Sequence, residues 1–214
     1  MQISESHCGP AVIQMLLSNL DIDVTQAEIS EAGGATSLIE MNGMRVDQLA
    51  LAVHRLAPQA LFFYKDHATI SELVRVVHDY RYPAGVEWQG LFEDEPDSEP
   101  GETQPDAAEP AGSPEEDQPE DNETEDNDYG HYSLVIQAER RSRQLIIADP
   151  YKDYFSQARI FSFDLFDRRW YDFNEVTNPV SGQPVLVEDD HLIFVIVRRN
   201  VLFPYRMGMR TFNL

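Results

Sequence analysis

Apolar residues recur at helical spacing through about the first 91 positions and in short strand-length runs through about the last 85. From Cys8 to Leu20 the spacing places Ala11, Met15 and Leu16 on one helical face, and Pro10 suits a first turn, where its missing N–H costs nothing. Thr25 with Glu28 has the pattern of a capping box and opens a short helix through Ala32, which Gly33 and Gly34 stop. Val46, Leu49, Ala50 and Val53 predict a helix from Val46 to Leu56. A strand is expected over Ala60 to Tyr64. Thr69 with Glu72 repeats the capping pattern and starts a helix through His78, and Tyr82 to Trp88 reads as strand. In the second half, His131 to Gln137, Gln144 to Ala148 and His191 to Val197 are short runs rich in β-branched residues, hence strands. The first two flank a charged turn, Ala138 to Arg143. Phe161 to Tyr171 is expected as a short helix anchored by Phe163, Phe166 and Trp170. Helices first and strands second is the layout of an α+β fold whose halves pack across a cleft.

Composition changes this picture mainly in one place. The chain is 42% hydrophobic and 10% aromatic, enough for a sizeable core, yet its formal charge is -22. From Glu93 to Asp128 there are 17 acidic residues and no Lys or Arg; removing those 17 charges from -22 leaves -5, an ordinary value. The same segment, about 92–129, holds six prolines and no aliphatic residue larger than alanine. It cannot bury enough apolar surface to offset its ordering entropy and is expected to be a disordered insertion in a single domain spanning 1–214. So acidic a chain repels phosphate, which argues against nucleic acid or an anionic membrane face as partner and favours a cationic one. The single cysteine excludes an intramolecular disulfide. The start, MQISESHCGPAV, has no basic stretch leading an apolar run, and no segment approaches the ~18 apolar residues of a membrane span. A soluble, cytoplasmic protein without direct membrane insertion is the expectation; oligomeric state is left open.

Candidate chemistry begins with that cysteine. A thiol is a nucleophile as thiolate, which a helix N-terminus, an imidazolium and partial exposure all favour. Cys8 stands where the first strong helix begins, and Gly9 beside it leaves the sulfur open. His131 opens a strand after Gly130, and Asp149 ends the neighbouring strand before Pro150, so a suitable register brings carboxylate and imidazole together. Gln2, six residues before Cys8, has a side-chain amide able to donate to an oxyanion, although alone it reads as a frayed surface amide. His7 adjoins Cys8 but its side chain diverges from it; His191 is a fallback base and Asn174 a fallback orienting group. His54, His67 and His78 lack metal-ligand spacing, so no metal or cofactor is expected. No phosphate-binding glycine loop and no Gly-x-Ser-x-Gly elbow is present.

Taken together, Gln2, the run Cys8-Gly9-Pro10-Ala11 leading a helix, Gly130-His131-Tyr132 leading a strand and Asp149-Pro150 ending one resemble the papain-like cysteine peptidases. Within them they look most like the bacteriocin-processing peptidases that cut after a double glycine, and their free-standing relatives. The resemblance covers nearly the whole chain outside the acidic segment. It implies a papain-like α+β fold with Cys8 as nucleophile, His131 as base, Asp149 as its orienting group and Gln2 in the oxyanion hole. Gly9 and Gly130 would leave room for an extended peptide with small residues near the cut. The expected activity is hydrolysis of a peptide bond, such as that of a leader peptide, through a thioacyl-enzyme, with a basic peptide or protein favoured as substrate. The rival is a catalytically idle module that only grips peptides. A third expectation is that the acidic segment draws basic substrate or folds back over the cleft, against the plainer reading of a solubilising loop.

Overall fold

The computed structural model describes residues 1–36, 39–90, 130–178 and 181–212. The acidic segment expected to be disordered lies outside them. Four helices open the chain: α1 (Cys8–Ser18), α2 (Gln26–Ala32), α3 (Ile39–Asn42) and α4 (Val46–Leu56). Strand β1 (Ala60–Lys65) follows, then α5 (Ile70–Val74), which runs on into a π turn (Arg75–Asp79), and β2 (Ala84–Gln89). After the acidic segment come β3 (Gly130–Glu139), β4 (Gln144–Ala148), β5 (Ala158–Ser162), α6 (Phe163–Arg169), β6 (Tyr171–Thr177), β7 (Pro184–Asp190), β8 (Ile193–Arg198) and α7 (Phe203–Arg206).

Local signals set several of these boundaries. Thr25 and Thr69 each accept from the backbone N–H three residues on, while Glu28 and Glu72 reach back to the cap N–H groups, so both capping boxes form. Helix α4 has the bounds its apolar spacing predicts. Two readings are corrected. Phe161 belongs to β5, paired with Leu145; the helix begins at Phe163 because Ser162 caps it by accepting from the Leu165 N–H. His191 takes φ 53 and ends a turn, so the last strand starts at Ile193. The hairpin of β6 and β7 was not foreseen, since its short apolar run Val185–Val187 is exposed and its polar residues face inward.

Six strands form one antiparallel sheet in the order β1-β8-β2-β3-β4-β5, so strands from both halves of the chain interleave rather than the helical half lying against a separate sheet. Both faces are covered. Helices α1, α2 and α4 bury Ile13, Leu17, Ile29 and Leu49 against Phe62, Leu134, Phe194 and Ile196. On the other face α5, α6 and α7 pack on Phe63, Val86, Trp88, Val135, Val195 and Val197. Coverage on both sides explains why β8 reads as an unbroken apolar run instead of an alternating one. No described helix is long and apolar enough to cross a membrane.

Candidate active site

Helix α1 begins at Cys8, whose side chain is partly exposed and packs against the rim of the core. The segment before it is tied down at several points. The Gln2 N–H donates to the Pro150 carbonyl at 2.9 Å, the Ile3 N–H donates to Gln26 Oε1 at 3.0 Å, and Lys152 Nζ lies 2.9 Å from Glu5 Oε1. These contacts bring the helix tip to the end of β4. They arise because Gln26, at the start of α2, is buried and uses its amide to hold the passing chain through Met1 O and Gln14 Oε1.

The strand register supplies the second half of the site. Leu134 pairs with Ala148, which sets Asp149 beside Ser133 and makes His131 its neighbour two residues along β3. His131 Nε2 lies 2.8 Å from Asp149 Oδ1, with both side chains almost wholly buried. The thiol of Cys8 hydrogen-bonds the His131 ring, and the backbone N–H groups of Tyr132 and Gly9 also face the sulfur. Nδ1 is therefore the ring nitrogen turned to Cys8. The structure brings Cys8, His131 and Asp149 into one chain of hydrogen bonds.

Electrostatics follow from this geometry. Burial pushes the Cys8 thiol up, but the hydrogen bond and charge of His131, with the two backbone N–H groups, outweigh it and leave the thiol below its ordinary value. Burial pulls His131 down, yet its bonds to Asp149 and Cys8 raise it to about 9. Burial likewise raises Asp149, and the pull of His131, the Tyr151 N–H and Arg159 overrides it, down to about 2. The site is thus arranged to hold a thiolate beside an imidazolium. Because the folded His131 value is raised, its contribution to stability is complete below the ordinary imidazole value of ~6.5 and is lost as pH rises through about 9. That of Asp149, being depressed, is present above its ordinary value of ~3.9 and is lost as pH falls through about 2.

Gln2 is placed differently from a frayed surface amide. It is 6% exposed, and its Nε2 donates to the carbonyls of Ser4 at 2.9 Å and Glu5 at 3.0 Å, so both amide hydrogens are engaged within its own loop. Among the described residues its Oε1 is buried without a partner. Gly9 does not leave open space: a Cβ there would lie 3.2 Å from Leu49 Cδ1 and 3.3 Å from Tyr132 Cδ2, so its small size lets α1 approach β3. Gly130 is exposed, but a Cβ on it would meet both carboxylate oxygens of Asp172 at 2.4 Å.

The fallback candidates are engaged elsewhere. His7 Nδ1 lies 2.7 Å from Ser4 Oγ, which in turn reaches Glu40. His191 pairs with Asp190 and Asp167 and packs on Trp170. Asn174 donates to Asp189 and Glu87 rather than to His131. His67 bonds Asp190, His78 faces the Ala138 carbonyl, and His54 is exposed on α4. Among the described residues no group of three or more His, Cys, Asp or Glu side chains is placed to hold a metal ion.

Arg159 escaped the sequence reading. It opens toward Asp149 from β5, with Nη1 2.7 Å from Oδ2, and lies over the rings of Tyr154 and Phe161 at 4.0 and 4.9 Å. Nothing local marks it, because its role depends on the β4–β5 register, where Arg159 pairs with Ile147. Arg159→Met keeps the stacked stem and removes the fork. We expect the His131 midpoint, followed by NMR of its ring, to stay high while the Asp149 carboxyl rises toward its ordinary value; an unmoved Asp149 would show that Arg159 is only packing.

No protein-family profile and no curated protein matches the chain. Among solved structures, the peptidase domain of Streptococcus ComA, a bifunctional ABC transporter involved in a quorum-sensing pathway, matches with a TM-score of 0.54 at 16% identity. The match covers 92% of this chain and 96% of that one. At such identity the likeness concerns the fold, and it establishes that the mixed helices and antiparallel sheet of this chain have the papain-like arrangement of a peptidase domain.

Proposed function

We propose that the protein is a cysteine peptidase acting through Cys8. The observation carrying this reading is the hydrogen-bonded chain from Cys8 at a helix tip, through His131, to Asp149. In the mechanism His131 holds the thiol proton, and the thiolate attacks a peptide carbonyl. The tetrahedral oxyanion is met by the Cys8 backbone N–H and by Gln2 Nε2, once substrate draws that amide from Ser4 and Glu5. The C–N bond then breaks as His131 passes its proton to the leaving amine. Water deprotonated by His131 attacks the thioester, the C–S bond breaks and the acid leaves. Asp149 keeps the imidazole oriented and its charge compensated throughout. An extended basic peptide suits the site best, because 17 acidic residues lie in the segment between β2 and β3, next to His131. Cys8 must stay reduced, which a cytoplasmic setting would provide.

One observation favours the rival module: both amide hydrogens of Gln2 are already spent on its own loop. A library of basic and neutral peptides separates the two. A peptidase cleaves some members and forms a thioester trappable on Cys8, and Cys8→Ala abolishes both. Binding without cleavage, equal in the wild type and in Cys8→Ala, would instead establish an idle peptide-gripping module.

A further inference from the structure

Behind Tyr132 lies a group of carboxyl side chains that the mechanism does not use. Glu87 stands opposite Tyr132 in the β2–β3 register and is 2% exposed. Asp172 on β6 and Asp189 on β7 are partners in their own hairpin and face Glu87 from the other side. Asp172 is buried, accepts from Gln89 Nε2 at 2.9 Å, and presses on the backbone of Gly130. Asn174 bridges the group, donating to Asp189 Oδ2 at 2.8 Å and to Glu87 Oε1 at 3.4 Å. Asp66 and Arg45 also act on Asp189, with opposite signs. Among the described residues, the buried oxygens Glu87 Oε2 and Tyr132 Oη make no other hydrogen bond, and they belong to facing residues whose side chains meet.

Glu87 and Asp172, both buried, and the half-buried Asp189 beside them cannot all be ionised, because among the described residues no cation at Glu87 repays its burial and their mutual repulsion. We propose that Glu87 is a positioning residue held as the neutral acid, its proton shared with Asp172, and that this proton joins β2, β3 and β6 behind the site. What it positions is clear from the contacts. Tyr132 presents its ring to Gly9 and its backbone N–H to the Cys8 sulfur, and Asp172 seats the Gly130 backbone one residue before His131. Burial, then the charges of Asp172 and Asp189, hold Glu87 well above the ordinary carboxyl range, in keeping with this arrangement. Burial and Glu87 together raise the Tyr132 hydroxyl, so it too remains a neutral donor.

The inference rests on reading Cys8 as the nucleophile, but its test needs no turnover. Infrared spectra of the full chain at pH 7 should contain the carbonyl band of a protonated carboxylic acid, and Glu87→Gln should remove it. Should that variant fail to fold, Asp172→Asn serves in its place, since it should move the ionisation of the same band to lower pH. Alkylation of Cys8 by iodoacetamide supplies the second readout. Glu87→Gln, a neutral isostere, should react within about twofold of the wild type with an unmoved pH midpoint, whereas Glu87→Leu should react at least fivefold more slowly. Absence of the band, or a midpoint shifted by Glu87→Gln, would mean that Glu87 is ionised and the proposal is wrong. Unchanged reactivity in Glu87→Leu would remove its positioning role. Failure of every peptide to be cleaved, with band and reactivity as expected, would overturn the peptidase reading alone.

Discussion

Replacing His131 by Asn is expected to slow alkylation of Cys8 at pH 6 by about 10- to 100-fold. In the wild type the thiol stands below its ordinary value chiefly because the hydrogen bond and charge of His131, joined by the backbone N–H groups of Tyr132 and Gly9, offset burial. Asn supplies no positive charge, so the burial cost remains, the Asp149 carboxylate nearby opposes a second anion, and the thiol returns to or above the free value of ~8.5. The rate-against-pH curve should therefore lose its acid-side plateau and become a single rise at alkaline pH. Any peptide cleavage should fall further, by about 10²- to 10⁴-fold, because proton delivery to the leaving amine disappears as well. A curve that is the same in both proteins would show that Cys8 and His131 do not act as a pair. Above about 9 the wild-type curve should also bend, since the imidazolium is lost there.

The largest effect on stability is expected for Trp88→Ala, at about 3–5 kcal/mol in unfolding free energy. The ring is fully buried among Phe161 and Phe166 at 5.1 and 5.4 Å, and its Nε1 donates to Ser133 Oγ at 3.0 Å. Truncation leaves a cavity in the centre of one core and a buried hydroxyl without its donor. For a chain of this size the melting temperature should fall by on the order of 10 °C. Because Trp88 pairs with His131 across the β2–β3 ladder and lies under Arg159, Cys8 should also lose reactivity before global unfolding. A loss under ~1 kcal/mol by denaturant titration would show that this ring is not a core element.

What could be read from the chain, and what could not, divides by distance along it. The capping boxes at Thr25 and Thr69 and the spacing of Leu49, Ala50 and Val53 in α4 are local, and the elements they predict are present. Strand-length runs at His131, Gln144 and His191 marked most of the sheet, the last of them starting two residues later than read, although coverage of both faces hid which side each residue takes. The papain-like fold was legible only through a scattered set, Gln2, Cys8, His131 and Asp149, whose order mattered more than any member. The engagement of Gln2 by Ser4 and Glu5, the contact of Arg159 with Asp149 and the meeting of Glu87 with Asp172 were not legible. The Gln2 contacts depend on the fold of a loop that has no repeating pattern, and the others on which strands become neighbours. The packing of Gly9 was hidden for a related reason: a small residue beside a nucleophile gives the same sequence signal whether or not, as here, a Cβ on it would meet Leu49 and Tyr132.

The lashing of residues 1–5 to Pro150, Lys152 and Gln26 has a consequence for biosynthesis. Cys8 leaves the ribosome first of the three, His131 follows 123 residues later and Arg159 later still. At ordinary translation speeds that is a delay of roughly 6–25 s. Through that interval the nascent chain carries a plain, unactivated thiol, and the hydrogen-bonded chain forms only when the later-made strands close over the earlier-made segment.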